Sequence, residues 1–597
     1  MKQYSIITLV IGLLVLASCN NKFLEKYPLD KLSDETFWTT EQDLKLYCND
    51  IYPDYIVGFG YDFGDATIQP YGYTQAAIVY GDIITDNAAP NSYSKVAANE
   101  YIGYLTGSSG SGGWNFDNIR TLNYFLENFR RGNIAKATQD MYGGEILFFK
   151  AWDYFKKVKL FGDVPWLSKP LNVDSPELFG PRTPRKEVMD SVMACIDTAI
   201  SWLPSRTDAN YQTDRISKET ALFLKMRIGL YEGTFRKYHK ELNLDGNSFL
   251  NACKDACEKL MTAGYSLYST GKPDQDYHNL FSQYTYKGNP EVILSKEYSA
   301  DQELGVAFSR YFAQNLRHQF GVTRNLMDAY LCVDGKPIST SSKFLGRDSI
   351  QQEMQFRDPR LSQTVANFGT YDLATGVMGA DNAPKPNIPG LSGNKCPTGY
   401  RLAKWFLNDP QDWNRVTNGM QAAPLFRYAE VLLDYAEVSF ELGQATQAVI
   451  DATINKLRDR VGMPHLEIAN IPKDPALDAN YSKYCDYTPQ PLLREIRRER
   501  RVEMAFENTR WDDLMRWKAG RFLEIPVEGM KFVQNQFPSV KVNSDIYLSA
   551  DGFILPYYKT LPNGRTFDEN KQYLFPIPVE DLILNNALIQ NPGWKSN

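Results

Sequence analysis

The sequence predicts a mostly α-helical protein: a scaffold of tetratricopeptide-like helical hairpins with an inserted irregular, loop-rich lobe that contains short strands. Apolar residues recur at helical spacing in two blocks of the 597-residue chain, at about 40–263 and 420–465, and this pattern is interrupted between Tyr265 and Pro424. Small alanines at turn spacing and short glycine turns favour helix pairs that bury their apolar faces by stacking on neighbours.

The helix starts follow capping patterns. Thr40-Glu41-Gln42-Asp43 reads as a capping box that opens the first helix of the scaffold. Thr183 followed by Pro184 predicts an N-cap with proline at the first helical position, and the helix should end before Pro204. Its predicted buried stripe is Val188, Val192, Ile196, Ala199, Ile200 and Leu203.

Two further stripes repeat this spacing. One consists of Ala221, Leu224, Ile228, Tyr231 and Phe235. The other follows Pro424, is broken by Gly443, and consists of Leu425, Tyr428, Ala429, Leu432, Tyr435, Ala436, Ser439 and Phe440. Residues 445–452 should begin an antiparallel partner helix.

The predicted organisation follows from these segments. Residues 1–18 form a signal peptide, 19–39 a lipidated N-terminal segment, 40–264 a helical region with a loop-rich insertion at about 59–114, 265–423 the irregular lobe, and 424–597 a C-terminal helical region. Glu291 to Leu294 reads as a short strand, and Gly369 to Gly399 is rich in Gly, Pro and Asn. Long loops in a compact exported protein are usually functional or disordered.

Cys19 ends an N-terminal segment in which Lys2 precedes the apolar run Ile6 to Leu16. One positive charge, a short apolar stretch and small residues before a cleavage point describe a secretory signal peptide, too short to span a bilayer. The Cys after Leu-Ala-Ser resembles the bacterial lipoprotein box, which predicts acylation of that thiol; an ordinary signal peptide with a chance Cys is the alternative.

Composition excludes several function classes. The formal charge of −6 gives no reason to expect nucleic acid as a partner. The chain has four His residues without paired ligand spacing and eight Cys without a CxxC motif, so neither a catalytic zinc site nor any cofactor is expected. Cys253 and Cys257, one helical turn apart, suit a buried face. The 37 Tyr against 32 Phe favour partly exposed aromatic surface.

Two segments invite other interpretations. Arg494 to Glu507 is rich in Arg, but its Glu residues recur every four positions, so we expect an internally neutralised helix. Gly107 to Gly113 lacks the Gly-Lys-Ser/Thr ending of a phosphate loop and the Gly-x-Ser-x-Gly nucleophile pattern, and reads as a flexible loop at the rim of a binding face. No spacing singles out two carboxylates for glycoside hydrolysis.

Motifs in order along nearly the whole mature chain resemble the SusD-like (RagB/SusD) family of outer-membrane nutrient-binding lipoproteins. They are Phe23-Leu24, Thr36-Phe37-Trp38, Asn118-Ile119-Arg120, Leu160-Phe161-Gly162-Asp163-Val164-Pro165, Phe356-Arg357-Asp358-Pro359-Arg360-Leu361, Pro424 to Glu430, Glu499 to Glu507, Arg510 to Leu514, Leu574 to Pro578, and Gln590 to Trp594. The chain departs from the pattern in one place: Asn20-Asn21-Lys22 stands where surface-displayed members often carry acidic residues.

The resemblance implies the same helical fold and a non-catalytic role. We expect an outer-membrane lipoprotein, facing the exterior, that captures oligosaccharides and delivers them to a SusC-like TonB-dependent transporter. Peptide capture is the alternative within the family. A cell-surface glycan hydrolase and a pure protein-binding scaffold are alternatives of other classes.

Sugar rings stack their C–H faces on aromatic rings, while their hydroxyls need polar partners. Because helix-stripe aromatics belong to the core, loop aromatics are the better candidates. Family members bind ligands through loops of the N-terminal third and the irregular lobe, without a fixed motif. The predicted ligand-binding residues are Tyr71, Tyr73, Tyr93, Trp114, Tyr298, Tyr311 and Arg317, with Asp82 and Asp86 as hydroxyl acceptors.

Overall fold

The computed structural model describes residues 37–59, 78–101, 107–302, 304–306, 308–309, 320–366, 388–391, 395–415 and 418–594. Its helices in chain order are α1 Glu41–Tyr55, α2 Asp117–Asn128, α3 Lys136–Phe161, α4 Arg185–Trp202, α5 Lys218–Tyr238, α6 Asn247–Met261, α7 Asp276–Leu280, α8 Arg324–Ala329, α9 Ile350–Met354, α10 Pro359–Thr364, α11 Pro410–Asn414, α12 Tyr428–Glu441, α13 Gln447–Ala452, α14 Ile454–Arg460, α15 Pro475–Tyr484, α16 Pro491–Glu503, α17 Arg510–Arg516 and α18 Val579–Leu584. The strands are β1 Ala88–Pro90, β2 Val292–Lys296, β3 Phe320–Val322 and β4 Ala423–Arg427. The predicted mostly helical fold is confirmed.

The long helices pack as antiparallel neighbours that stack on one another. Helix α3 packs on α4, α4 on α5, and α5 on α6, and α6 packs in turn against α12 from the C-terminal region. Gly229 in α5 permits a close approach to α6, because a Cβ at that position would lie 2.7 Å from the carbonyl oxygen of Phe249. The scaffold therefore joins the two helical blocks of the sequence in one apolar core.

The predicted stripes point into this core. Ala221, Leu224, Ile228, Tyr231 and Phe235 are all buried, as are five of the six residues predicted for α4; Ile200 is only partly buried. Cys253 and Cys257 are buried in α6 with their sulfur atoms 4.0 Å apart. Within the described part of the chain, no helix is long and apolar enough to cross a membrane.

The caps were predicted correctly at one helix and wrongly at another. Thr40 and Asp43 form the predicted capping box of α1. Thr183 does not cap α4: Pro184 occupies the N-cap position, and Thr183 instead pairs with Val164 in an antiparallel bridge. Its hydroxyl accepts a hydrogen bond from the backbone N–H of Trp166 at 3.1 Å. Thr183 therefore pairs with a residue outside its own segment, and this contact cannot be predicted from the local sequence.

Two small antiparallel sheets organise the lobe. Strand β1 pairs with β3, and β2 pairs with β4 with irregular register. The predicted strand at 291–294 exists as β2, whereas the helix predicted from Leu425 begins only at Tyr428, because residues 423–427 form β4. A second apolar core lies here and draws on residues of 59–88, 277–423 and 502–554.

Helix α16 is not neutralised within itself, so that prediction is wrong for most of its length. Glu495 does pair with Arg494 and Arg498 of the same helix. Glu499 and Glu503, however, pair with arginines of other elements: Arg360, Arg458, Arg427 and Arg460. The helix is thus a hub of buried ion pairs between scaffold and lobe.

Candidate ligand-binding site

Five of the predicted residues lie outside the described residues: Cys19, Tyr71, Tyr73, Tyr311 and Arg317. Their assignments stay predictions. The structure does place Tyr93, Trp114, Tyr298, Asp82 and Asp86, and it describes the chain that flanks both predicted loop regions.

The two loop-rich regions are held side by side by backbone pairing. Ala88 of β1 lies opposite Val322 of β3 in the antiparallel register, and the Thr323 backbone N–H donates to the carbonyl of Asn87 at 2.9 Å. The Thr323 hydroxyl donates to the carbonyl of Asp86 at 2.6 Å. The N-terminal insertion and the irregular lobe therefore meet at one place, which we call the loop junction.

An aromatic layer underlies the loop junction. Phe59 stacks face to face on Phe308 with ring centroids 3.9 Å apart, and it meets Trp405 edge to face. Tyr80 packs edge to face against both Phe308 and Phe320. Since these rings come from both loop regions and are buried, they fix where the chain enters and leaves each region.

Tyr298 belongs to this layer and holds backbone in place. It is 7% exposed, and its hydroxyl oxygen accepts a hydrogen bond from the backbone N–H of Phe59 at 2.8 Å. A Cβ at Gly58 would lie 2.5 Å from the same hydroxyl oxygen, and Gly58 has φ +62°. The ring therefore clamps the start of the N-terminal loop region and presents no open face to solvent in this structure.

Asp82 and Asp86 both accept hydrogen bonds from other groups of the protein. Asp82 accepts hydrogen bonds from the side-chain amide of Asn87 at 2.9 Å and from the backbone N–H of Phe506 at 2.7 Å. Asp86 accepts two from Arg510, at 2.8 and 2.9 Å, and lies 3.0 Å from Arg501. Both carboxylates are buried, and in this structure each holds the loop junction in place.

The charge states of the two carboxylates diverge. Burial raises the pKa of Asp82 to about 6, since its hydrogen bonds only partly offset the lost hydration. Burial also works against the charge of Asp86, but Arg501 and Arg510 outweigh it and lower the pKa to about 2. Asp86 is thus a permanent anion that binds the N-terminal insertion to α16 and α17.

Trp114 lies away from the loop junction. It is 5% exposed and packs edge to face against Phe116 and Phe161 in the helical core. The preceding loop docks on α18: the backbone N–H of Ser109 donates to Glu580 at 2.7 Å, and its hydroxyl donates to Asp581 at 2.6 Å. The indole ring therefore has a packing role in this structure.

Tyr93 is partly exposed, and its neighbours include tyrosines of the C-terminal region that the sequence did not suggest. Its hydroxyl donates to Glu100 at 2.8 Å, and its ring meets Tyr557 edge to face. The next residue, Tyr558, is 53% exposed and stacks on Tyr547 with ring centroids 4.6 Å apart and nearly parallel planes. Tyr93 and Tyr547 are partly exposed and Tyr558 is exposed, whereas Tyr557 is buried. Nothing in the local pattern of 540–560 distinguishes them from core aromatics.

Comparison with known proteins agrees with this architecture. The sequence profile of the SusD family matches residues 290–594, slightly more than half of the chain. The chain belongs to the SusD family. Among SusD-like relatives, protein P2 of Formosa agariphila is 24% identical over 100% of both chains, and a SusD-like protein of Bacteroides ovatus is 22% identical over 97% of this chain and 95% of its own.

Solved structures of SusD-like proteins share the fold. A SusD-like carbohydrate-binding protein of Bacteroides fragilis superposes with a TM-score of 0.70 at 20% identity, over 93% of this chain and 100% of its own. A laminarin-binding SusD-like protein gives a TM-score of 0.54 at 17% identity, over 93% of this chain and 99% of its own. The SusD fold thus extends through the N-terminal helical region, beyond the part that the profile matches.

Proposed function

We propose that this SusD-family protein captures oligosaccharides and passes them to a SusC-like TonB-dependent transporter in the outer membrane. The observation that carries the proposal is the loop junction, where both predicted ligand-binding regions emerge from one buried aromatic layer. A fixed base with variable loops is a common way to build a binding site. Two SusD-like structural relatives are named for carbohydrate or laminarin binding.

The accessible tyrosines supply the chemistry that a sugar requires. Tyr558 and Tyr547 present a stacked aromatic pair, and the partly exposed Tyr93 contacts Tyr557, the residue before Tyr558, edge to face. Aromatic faces accept the C–H face of a pyranose, and phenol hydroxyls at the edge serve its hydroxyl groups. We add Tyr547 and Tyr558 to the predicted loop residues Tyr71, Tyr73, Tyr311 and Arg317 as ligand contacts.

The test is binding of a panel of neutral oligosaccharides and peptides, followed by titration calorimetry on the best ligand. Tyr558→Ala should weaken that ligand by roughly tenfold, as loss of one stacking platform does. Tyr435→Ala is the matched control, because Tyr435 is a partly buried tyrosine on scaffold helix α12. Equal affinity of both variants and the parent would place the site elsewhere, and a peptide ligand would favour the alternative within the family.

Analysis of the products formed from a bound glycan distinguishes a hydrolase, a protein-binding scaffold and a protein that only captures oligosaccharides. Release of shorter sugars from any bound glycan would favour a hydrolase, whereas absence of any small ligand would favour a protein-binding scaffold. The two carboxylates nearest the loop junction, Asp82 and Asp86, are buried and hydrogen-bonded. This arrangement does not favour a pair of carboxylates flanking a scissile bond.

Anchoring and partnership are tested in cells. Acylated Cys19 should hold the protein at the outer membrane, so Cys19→Ala should move it from the membrane to the soluble fraction. Protease shaving of whole cells reports which side it faces. Detergent extraction from cells grown on the bound glycan should co-purify a β-barrel transporter, because a lipoprotein of this kind has no pore of its own. Extraction without a barrel would count against delivery.

A further inference from the structure

A cavity lies between the lobe and the C-terminal helices, next to the loop junction, since Asn325, Arg501 and Arg510 of its lining also contact Asp86. Its volume is about 550 Å³, within the usual range for sites that bind small molecules. Helix α8 and residues 337–347 line one side, α15 lines another, and α16 forms the floor. The aromatic residues of the loop junction do not line it.

The floor is a row of arginines on one face of α16. Arg494, Arg497, Arg498 and Arg501 recur three or four residues apart, and each is less than a tenth exposed. Arg510 of α17 extends the row. This face is distinct from the one on which Glu499 and Glu503 pair with arginines of other elements.

Cationic side chains outnumber carboxylates in the lining of the cavity. Eight cationic side chains line it, against three carboxylates, those of Asp328, Asp474 and Glu528. Further carboxylates pair with the arginines from outside the lining, such as Glu495 with Arg494 and Arg498. Because these carboxylates lie outside the lining, the side chains that line the cavity carry more positive than negative charge, which suits an anion better than a cation.

Two arginines on the floor of the cavity, Arg497 and Arg501, have guanidinium nitrogens that make no hydrogen bond among the described residues. The Nε and Nη2 atoms of Arg497 are buried and make no hydrogen bond among the described residues, although Nη2 lies 3.6 Å from a carboxylate oxygen of Glu441 and the guanidinium stacks on Trp517. The Nη2 atom of Arg501 lies near Asp86 but makes no aligned hydrogen bond. Burial lowers the pKa of Arg501 to about 10, so its charge is under-compensated.

The mouth and walls add groups suited to a sugar ring. Tyr481, Tyr484 and Phe522 supply aromatic surface, and Asn325 and Asn480 supply amide groups. Lys483 stands exposed at the cavity with its ammonium 4.7 Å from the Tyr484 ring centroid, and among the described residues it makes no ion pair. Among the described residues, Lys483 is thus an exposed cation without a carboxylate partner, next to the buried arginines.

We propose that this cavity binds the acidic group of a charged saccharide, a carboxylate or sulfate ester, on the arginines of α16 with Lys483 at the mouth. An oxyanion in the cavity would lie against guanidinium groups, whose planar set of donors matches the geometry of carboxylate and sulfate. The ligand being a saccharide rests on the proposed function; the anion preference does not.

Titration calorimetry with the full-length protein and three probes tests the site: D-glucuronate, D-glucose and inorganic sulfate. We expect D-glucuronate to bind, D-glucose to give no heat under the same conditions, and sulfate to compete with D-glucuronate. Equal binding of D-glucose and D-glucuronate, or no binding of either acidic probe, would overturn the assignment. Binding of sulfate but not of D-glucuronate would refute the saccharide part of the proposal.

Two variants locate the binding. Lys483→Gln should weaken D-glucuronate by roughly two- to fivefold, as removal of one exposed ion-pair partner does. Arg324→Gln should weaken it by about tenfold, because a guanidinium at the mouth is lost and Glu528, 3.1 Å away, is left unpaired. Melting curves check that each variant folds.

Lys287→Gln is the matched control: Lys287 is an exposed lysine in the turn before β2 and does not line the cavity. If it weakens D-glucuronate as much as Lys483→Gln, the effect is one of overall charge and the site is wrong. The two proposals also fail separately, since a neutral oligosaccharide titrated into Tyr558→Ala reports only on the loop site.

Discussion

Replacement of Asp86 by asparagine tests whether buried ion pairs stabilise the loop junction. The carboxylate receives hydrogen bonds from Arg510 and Asn325 and pairs with Arg501. Its pKa is lowered from 3.8 to about 2 although burial alone would raise it. That difference corresponds to about 2–3 kcal/mol in favour of the folded state at neutral pH.

Asp86→Asn should therefore cost about 2–4 kcal/mol, because it leaves two buried arginines short of an anion, and breaking such a pair is expensive. The sign of the pH dependence follows from the lowered pKa. The stabilisation is present above about pH 4 and is lost as the pH falls towards 2, so the difference between parent and variant should shrink over that range.

Urea unfolding followed by tryptophan fluorescence measures this difference. Asp190→Asn is the matched control: Asp190 pairs with Lys186 at 2.8 Å on an exposed face of α4, so its loss should change stability by less than about 0.5 kcal/mol. A loss at Asp86 no larger than at Asp190 would refute the ion-pair argument. Unchanged stability with reduced oligosaccharide affinity would instead favour a ligand contact by Asp86.

Three further substitutions probe the core, the titration of Asp82 and the helix contact. Trp114→Ala should lower stability by about 3–5 kcal/mol, measured by urea unfolding, and leave the oligosaccharide affinity of the folded fraction unchanged, since the ring fills the core. Asp82→Asn should remove a loss of stability that the parent shows as pH rises from about 4 to 6, because a raised pKa means that the folded state holds the proton longer; melting temperatures across this range test it. Gly229→Ala should lower the melting temperature despite the better helix propensity of alanine, because the new Cβ would collide with the Phe249 carbonyl; an increase would show that α5 and α6 can separate at little cost.

Helices were predictable where the apolar period was strong. The stripe from Ala221 to Phe235 was assigned correctly, because 3.6-residue spacing is a local property. The segment after Pro424 was misassigned at its start, because β4 runs directly into α12 and both are apolar. Thr183 failed as a cap because its pairing with Val164 depends on a contact outside the local sequence.

The candidate site residues were harder to predict than the helices, because residue type alone does not show whether a side chain is buried. Asp86 is a plausible hydroxyl acceptor by residue type, yet its partner Arg510 lies 424 residues further along the chain. Trp114 stands in a glycine-rich loop region but points into the helical core. The sequence did not suggest Tyr558 as a candidate, because its exposure depends on the fold of the C-terminal region, which carries no local binding pattern.

Buried ion pairs join the lobe to the helical scaffold. Arg427 of β4 pairs with Glu291, Glu503 and Glu507, and Glu503 also pairs with Arg460. Each ion has several partners, so moving one element against another would strand a buried charge at a cost of several kcal/mol. The lobe and the scaffold are thereby fixed together beneath the loop junction. We therefore expect substitution of the exposed Tyr558 to leave this network intact.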